Sequence, residues 1–449
     1  MIDYIRQILK VGTPYMISTF FDATSFTLMV FIVSIFLPSG KELASIGSSI
    51  YIVWVLWAFS TAFSSGIVSL TSRFLGDKDI PNIVHLFFVT IKYSFFWYIF
   101  IIVFFNFFII DIVFSLLKLE PQVIQLSKEV VKYYCYIIIF SILASIVFSI
   151  LQGIMKTKEI MYITIAAVAI EILVVFWGIG KVHLSLLINL AWLGGELIRI
   201  IAGYYFLHKE KITFSINISK ELGKSPWEDF KRFLEALYIG FPLKIGMLIF
   251  GSVYYIIISY ITTIGQKYGL AEKAVAALTL SQRFEVLIWM LDAGLTIATS
   301  TLIGKTIGYQ TFQQNKTQKI KQVKNILYSA TFLGTILFLP IFFLFILYNQ
   351  QILSIFIKDV EIVNIGKGYL FYTGLMGISM VYNSIFTGFF IAIGKTLPIT
   401  IYLVIFSLLR IPLCSMASNF DHIWIFINLT NLLMTICLYF TYLWNIRRL

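Results

Sequence analysis

The first 77 residues of this chain are written a second time at 231 to 309, in a sequence that is apolar almost from end to end. Gly12-Thr-Pro14 returns as Gly240-Phe-Pro242, an offset of 228, and Trp57 and Gly76 return as Trp289 and Gly308, an offset of 232. Four residues were therefore gained between the two anchors. Duplication of an apolar helical set is the plan on which membrane carriers for small solutes are commonly built.

Hydrophobic residues make up 59% of the chain and charged residues 12%, with a mean hydropathy of +0.91. That balance belongs to a polytopic membrane protein and not to a soluble domain. Crossing the hydrocarbon takes about 20 apolar residues at about 1.5 Å each. Twelve such spans are expected, at 12 to 37, 44 to 72, 84 to 113, 130 to 152, 160 to 180, 184 to 206, 235 to 264, 274 to 304, 325 to 348, 363 to 391, 396 to 416 and 422 to 444. The fold class is all-α, with twelve transmembrane helices in two six-helix lobes. Six is even, so both copies begin on one side and the repeats are parallel, related by an axis along the membrane normal.

The net charge of +12, from 34 basic and 22 acidic residues, would suggest nucleic acid in a soluble protein. Here the basic residues collect in alternate loops. With both termini cytoplasmic, twenty Lys and Arg lie inside and nine outside, which predicts a multi-pass plasma-membrane protein with N and C termini in the cytoplasm. Arg6 and Lys10 precede an apolar stretch with no small-residue cleavage site, so the first span is retained as structure. Cys135, Cys414 and Cys437 stand isolated in apolar spans and read as packing residues. His85, His183, His208 and His422 fall near span ends or loops, where solvation at the interface accounts for them.

The organisation expected is an N-terminal lobe over 1–206, a linker with an amphipathic helix over 207–234, and a C-terminal lobe over 235–449. The linker ends at Ser225-Pro-Trp-Glu228, a capping Ser followed by Pro at the first helical position and Glu three residues on. Trp227, Phe230, Phe233, Leu234 and Leu237 then form an apolar stripe that Ile2, Ile5 and Leu9 partly repeat. Two readings stand, an amphipathic helix lying at the interface or a plain extension of the span.

Charge at bilayer depth is costly, about 2.5–3.5 kcal/mol on insertion scales, so it faces a cavity or a partner. Laying Lys156 on Lys395, an offset of 239, places Glu171 opposite Arg410, each in the middle of its span. Glu196 and Arg199, three apart on one helix, share a face and read as a structural ion pair. Arg283 and Glu285 point to roughly opposite sides, whereas Glu285 and Asp292 are seven apart and share a face. With Lys244 and Arg410 these three are candidates for a cavity that takes substrate. Asp22 and Glu171 have no basic neighbour within a turn on their own helices and lie about ten residues into their spans. They are the candidate ion-coupling pair, sharing a cavity in the N-terminal lobe, able to exchange protons near neutral pH or to hold sodium. Pro14, Pro242, Pro340 and Pro412 are expected to kink their spans.

Thr71-Ser-Arg73-Phe-Leu-Gly76-Asp77 and Ala298-Thr-Ser-Thr-Leu-Ile-Gly304-Lys-Thr-Ile-Gly308 close the second and eighth spans. With Ser281-Gln-Arg283-Phe-Glu285, Leu409-Arg410-Ile-Pro412-Leu413 and Leu151-Gln-Gly153 before Lys156-Thr157, they give a chain that resembles the MATE multidrug and toxin extrusion transporters. The resemblance covers nearly the whole chain. It implies a two-lobed, twelve-helix carrier that exports amphipathic, often cationic compounds in exchange for protons or sodium ions. Two positions depart from the pattern it implies. An Asp late in the first span is replaced by Met29, with Asp22 two turns earlier, and an Asn-x-x-x-Asp pattern in the fifth span would fall on Glu171 and Val175.

No enzyme signature is present: there is no phosphate-binding Gly-rich loop with its Lys and no His-Glu-x-x-His. The expectation is a monomeric carrier, not an enzyme, needing no cofactor beyond a coupling proton or sodium ion. Its partners are a small organic substrate, the coupling cation and the bilayer, without nucleic acid. A flippase for a lipid-linked oligosaccharide or polysaccharide is the alternative, since it would share the architecture but needs several cations to grip a pyrophosphate. A membrane-embedded transferase comes third, for want of a catalytic base in the short loops.

Overall fold

A computed structural model describes residues 1–36, 40–105, 110, 121–215, 217–309 and 316–447. The expected ends of the first and third spans at 37 and 113, Lys118 and Arg448 of the charge count, and residues 310–315 of the basic loop lie outside the described residues. The N-terminal half contributes α1 (Ile2–Phe36), α2 (Gly40–Ser60), α3 (Ser64–Gly76), α4 (Ile80–Phe104), α5 (Pro121–Gly153), α6 (Thr157–Gly178), α7 (Leu184–Lys209) and the single turn α8 (Ile218–Glu221). The C-terminal half follows with α9 (Pro226–Lys267), α10 (Ala271–Phe284), α11 (Val286–Tyr309), α12 (Lys316–Leu347), α13 (Asn349–Phe356), α14 (Val360–Met376), α15 (Ile378–Ala392), α16 (Leu397–Ser415) and α17 (Phe420–Ile446).

Among the described residues, eleven spans are long and apolar enough to cross a membrane, and twelve when α14 and α15, which meet at 49°, count as one broken span. They coincide with the twelve runs expected from sequence. Backbone polar groups that have no water partner in lipid must be paired within the span, and the helix does this throughout. The four prolines do not break their helices: Pro14, Pro242, Pro340 and Pro412 each lie inside a continuous one. The bend falls at Gly377 instead. Its N–H donates to Thr373 O at 2.8 Å, and a Cβ there would sit 2.4 Å from that oxygen, so only glycine lets the turn close.

Two compact units form, one of Ile17–Lys244 and one of Met1–Met16 with Ile245–Leu449. Their boundaries do not follow the repeat. Each copy's leading segment packs with the other copy's helices, and the two contacts correspond under the sequence register. In the second unit a Cβ on Gly12 would meet Gly294 O at 3.1 Å; in the first, a Cβ on Gly240 would meet Ala62 O at 2.2 Å. Gly12 and Gly240 differ by 228, Ala62 and Gly294 by 232, which are the offsets of the duplicated anchors.

The leading segments are extensions of their spans, since α9 runs unbroken from Pro226 to Lys267. Their buried faces are Ile8 and Val11 with Gly12 in one copy, and Phe233, Ala236 and Ile239 with Gly240 in the other. The face differs from the stripe expected, for Ile2, Leu9, Trp227 and Leu234 are exposed. The helix start at the linker is as read: Ser225 N donates to Glu228 Oε2 at 2.7 Å and Glu228 N to Ser225 Oγ at 3.3 Å. One residue later, Asp229 is buried and accepts from Lys92 Nζ at 3.0 Å and Ser219 Oγ at 3.0 Å, with His85 Nε2 at 2.8 Å. His85, expected at the interface, is therefore a buried residue that helps tie the linker and α9 to α4.

Candidate functional site

Two rungs of polar side chains join α1 to α6. Ser18 Oγ lies 2.8 Å from Thr164 Oγ1, and seven residues on in both helices Ser25 Oγ donates to Glu171 Oε2 at 2.9 Å. Seven residues are two helical turns, so the rungs fall on one face of each helix. Asp22 sits on α1 between the rungs. From α7, Gly195 makes room for the Glu171 carboxylate: a Cβ would lie 2.1 Å from its Oε1.

One turn farther along α7, Arg199 joins the carboxylates. Its Nη1 donates to Glu171 Oε1 at 3.0 Å and its Nη2 to Asp22 Oδ1 at 2.9 Å, while Glu196 Oε2 stands 3.7 Å from Nη1. Glu196 is held in turn by Ser141 of α5, which donates to its Oε1 at 2.9 Å. The Glu171 side chain is only 3% exposed and those of Arg199 and Glu196 14%, whereas Asp22 is 45% exposed at the rim. Arg199 is thus not reserved for Glu196. It makes closer ion pairs with the two carboxylates from which the sequence separated it. Among the described residues no group of three His, Cys, Asp or Glu converges closely enough to hold a metal ion; in this cluster the guanidinium lies between the carboxylates.

The C-terminal unit carries a second polar interior. Arg410 is buried, its Nε donating to Thr430 Oγ1 at 2.8 Å and its Nη2 to Asn431 Oδ1 at 2.6 Å. The guanidinium stacks over Phe250 at 4.9 Å from the ring centre and faces Tyr254 at 5.7 Å. Phe250 stands where Asp22 would be under the 228 offset, and Arg410 where Glu171 is under 239. The pairing of α1 with α6 is repeated by α9 and α16 with the charge sign reversed. Glu285, in the break between α10 and α11, is buried and accepts a hydrogen bond from the Tyr369 hydroxyl. Glu285 and Tyr369 thus form a buried hydrogen-bonded pair, while Tyr254 meets the Arg410 guanidinium through its ring.

The remaining sequence candidates do not join these groups directly. Asp292 is half-buried on α11, and Arg283 is exposed at the end of α10. Lys244 belongs to the other unit, its ammonium 5.1 Å from the centre of the Trp57 ring. Sequence reasoning missed Ser18, Ser25, Ser141, Tyr254 and Tyr369. The signal for the first two was available, because Ser18, Asp22 and Ser25 recur at helical spacing on α1 and Thr164 and Glu171 match them on α6.

Buried charged clusters inside a duplicated bundle of membrane-spanning helices define a polytopic solute carrier. The chain matches the MatE family over residues 14–177 and 242–416 and belongs to it, a family of transporters and not of enzymes. It is 22% identical over 367 residues to the probable multidrug resistance protein NorM of Bacillus cereus, covering 76% of this chain and 72% of that one. Its fold is similar to a MATE structure in complex with MaL6, with a TM-score of 0.86, 16% identity, and 99% and 97% of the two chains covered. An outward-facing multidrug resistance MATE transporter gives 0.84, with 15% identity over 99% and 96%. A transporter of Pyrococcus furiosus, described by a reversed polarity of its binding pocket, gives 0.83 with 15% identity over 99% and 96%.

Proposed function

We propose that the protein is a secondary antiporter that exports amphipathic or cationic organic compounds across the plasma membrane by alternating access, in exchange for protons or sodium ions. Both termini lie in the cytoplasm, and Asp22 and Glu171 hold the coupling ion. The observation that carries this reading is the charge balance of the cluster. Three carboxylates face one guanidinium. If all are ionised, two negative charges stay uncompensated at bilayer depth, which is costly. A proton or a sodium ion relieves that cost, and its arrival and departure become linked to the state of the lobe. Asp22 supplies the accessible end of the site and Glu171 the buried end. The family and the multidrug names borne by the relatives support export of organic compounds.

The test is dye flux in liposomes under an imposed proton gradient and then a sodium gradient, with the native chain, Asp22→Asn and Glu171→Gln. The expected result is gradient-driven movement in the native chain that both substitutions abolish. Movement unchanged in both variants would remove the coupling assignment. No movement of any dye under either gradient, with transbilayer movement of a lipid-linked saccharide instead, would overturn export in favour of a flippase.

A further inference from the structure

We propose that Arg199 is a tethered counter-ion: it occupies the coupling-cation site of the ion-free lobe and moves to Glu196 when a cation binds between Asp22 and Glu171. This inference rests on the assignment of the coupling ion to Asp22 and Glu171. The geometry is that of a resident competitor. The two arms of the fork contact Asp22 and Glu171 at 2.9 and 3.0 Å, so the guanidinium fills the space between the two carboxylates on which an incoming cation would have to sit. Two monovalent cations cannot share these oxygens without strong repulsion. Entry therefore requires displacement.

The place for the displaced group is already built. Glu196 lies one turn before Arg199 on α7, with its Oε2 3.7 Å from Nη1, beyond a good hydrogen bond but within ion-pair range. Closing that gap takes a side-chain rotation and no movement of a helix. Ser141 holds the Glu196 carboxylate through its other oxygen, which keeps Oε2 free to receive the guanidinium. The titratable groups facing Arg199 are Asp22 of α1, Glu171 of α6, Glu196 of α7 and the Tyr134 hydroxyl of α5. The three carboxylates are acceptors and none repels Arg199, so its position is decided by which of them is already occupied. The exposure gradient fits this order of events, since a cation meets Asp22 at the rim before it reaches Glu171. Arg199 acts through the carboxylates and is a positioning residue.

The experiment measures cation affinity directly, without a transported substrate. Sodium is titrated calorimetrically into the purified full-length protein, and protons taken up or released are counted in weakly buffered solution. Arg199→Gln should tighten the half-saturating concentration of the bound cation about tenfold or more, within the range of couplings in one ion-pair network. Glu196→Gln should weaken it by a similar factor. The deciding readout is the double variant: with no guanidinium to receive, Glu196→Gln should have no further effect in the Arg199→Gln background. Additive effects would show that both residues contribute only background charge, and would overturn the proposal. Arg199→Lys, which keeps the charge but cannot fork between two carboxylates, should fall between the native chain and Arg199→Gln. It carries the same cycle if Arg199→Gln does not fold. Asp22→Asn and Glu171→Gln separate the two levels of the argument. If neither changes cation binding, the coupling site itself is misplaced; if both abolish it while the cycle is additive, only the tethered counter-ion fails.

Discussion

Substituting Gly66 by Ala should loosen the N-terminal unit specifically. A Cβ at Gly66 would lie 2.0 Å from Ala236 O and 2.6 Å from Ala236 C and Cα, whereas ordinary contact begins at 3.4 Å. The α3 and α9 backbones must part by 1.4 Å, the difference between those two distances, and no rotamer change can absorb it because the nearest atoms are main chain. Overpacking of this kind costs about 1–3 kcal/mol, and the backbone clash puts it in the upper half of that range. For a unit of this size each kcal/mol lowers the midpoint by about 2–4 °C, so the melting temperature should fall by about 4–12 °C. The assay is thermal unfolding in detergent followed by a thiol-reactive dye. Cys135 is buried in the same unit as Gly66 and Cys414 in the other, so with the partly exposed Cys437 replaced by Ser, removing one or the other reports on each unit separately. The Cys135 signal should shift while the Cys414 signal lags behind it. Gly251→Ala is the control, since a Cβ there meets nothing within 4 Å and helix propensity alone should stabilise by up to about 1 kcal/mol. A Gly66→Ala protein that melts within a degree of the native chain, or a Gly251→Ala protein that falls equally, would refute the packing argument.

Three further outcomes are expected. Tyr369→Phe removes the donor from the buried Glu285 carboxyl and should cost about 1–3 kcal/mol, seen as earlier labelling of Cys414 on heating. Asp229→Asn weakens the ties to His85, Lys92 and Ser219; trypsin should cut faster at Lys220 and Lys224, and an unchanged cleavage rate would contradict a tied linker. Asp359 caps α14 by accepting from Glu361 N at 2.9 Å, and its hydrogen bond with Lys273 holds its carboxyl below the ordinary value of 3.8. A depressed pKa means that its stabilisation is present above about pH 4 and fades as the pH falls through the folded value. Melting profiles of the native chain and Asp359→Ala should therefore converge in acid and separate above pH 4.

The twelve spans were legible because their length and hydropathy are local properties of the chain. The register of the duplication was legible too: Gly12 on Gly294 and Gly240 on Ala62 reproduce both offsets in space. Which helices share a unit was not, because the sequence opens the C-terminal lobe at 235, whereas the residues up to Lys244 cluster with the helices of the first copy, through contacts that no local pattern marks. The same limit explains Arg199. Its spacing of three from Glu196 is visible on one helix, whereas its closer partners are 28 and 177 residues away. The burial of Asp229 was not legible either, because its partners His85 and Lys92 reach it from α4, 144 and 137 residues away. Gly377 and Glu285 mark breaks that no proline announces, since Pro340 and Pro412 sit in helices that stay whole.

The exchange of leading segments between the two copies also sets an order of events during synthesis. A nascent chain that has reached the end of α7 holds most of the first unit in the membrane, yet Pro226–Lys244, which covers Gly66 and Ala62, has not been made. The mirror problem is longer lived. Met1–Met16 waits for Gly294 and Ala298, which lie about 280 residues farther along the chain. A chain split after α8 would therefore leave each half without the segment that packs on it, so the two pieces should have to be co-inserted.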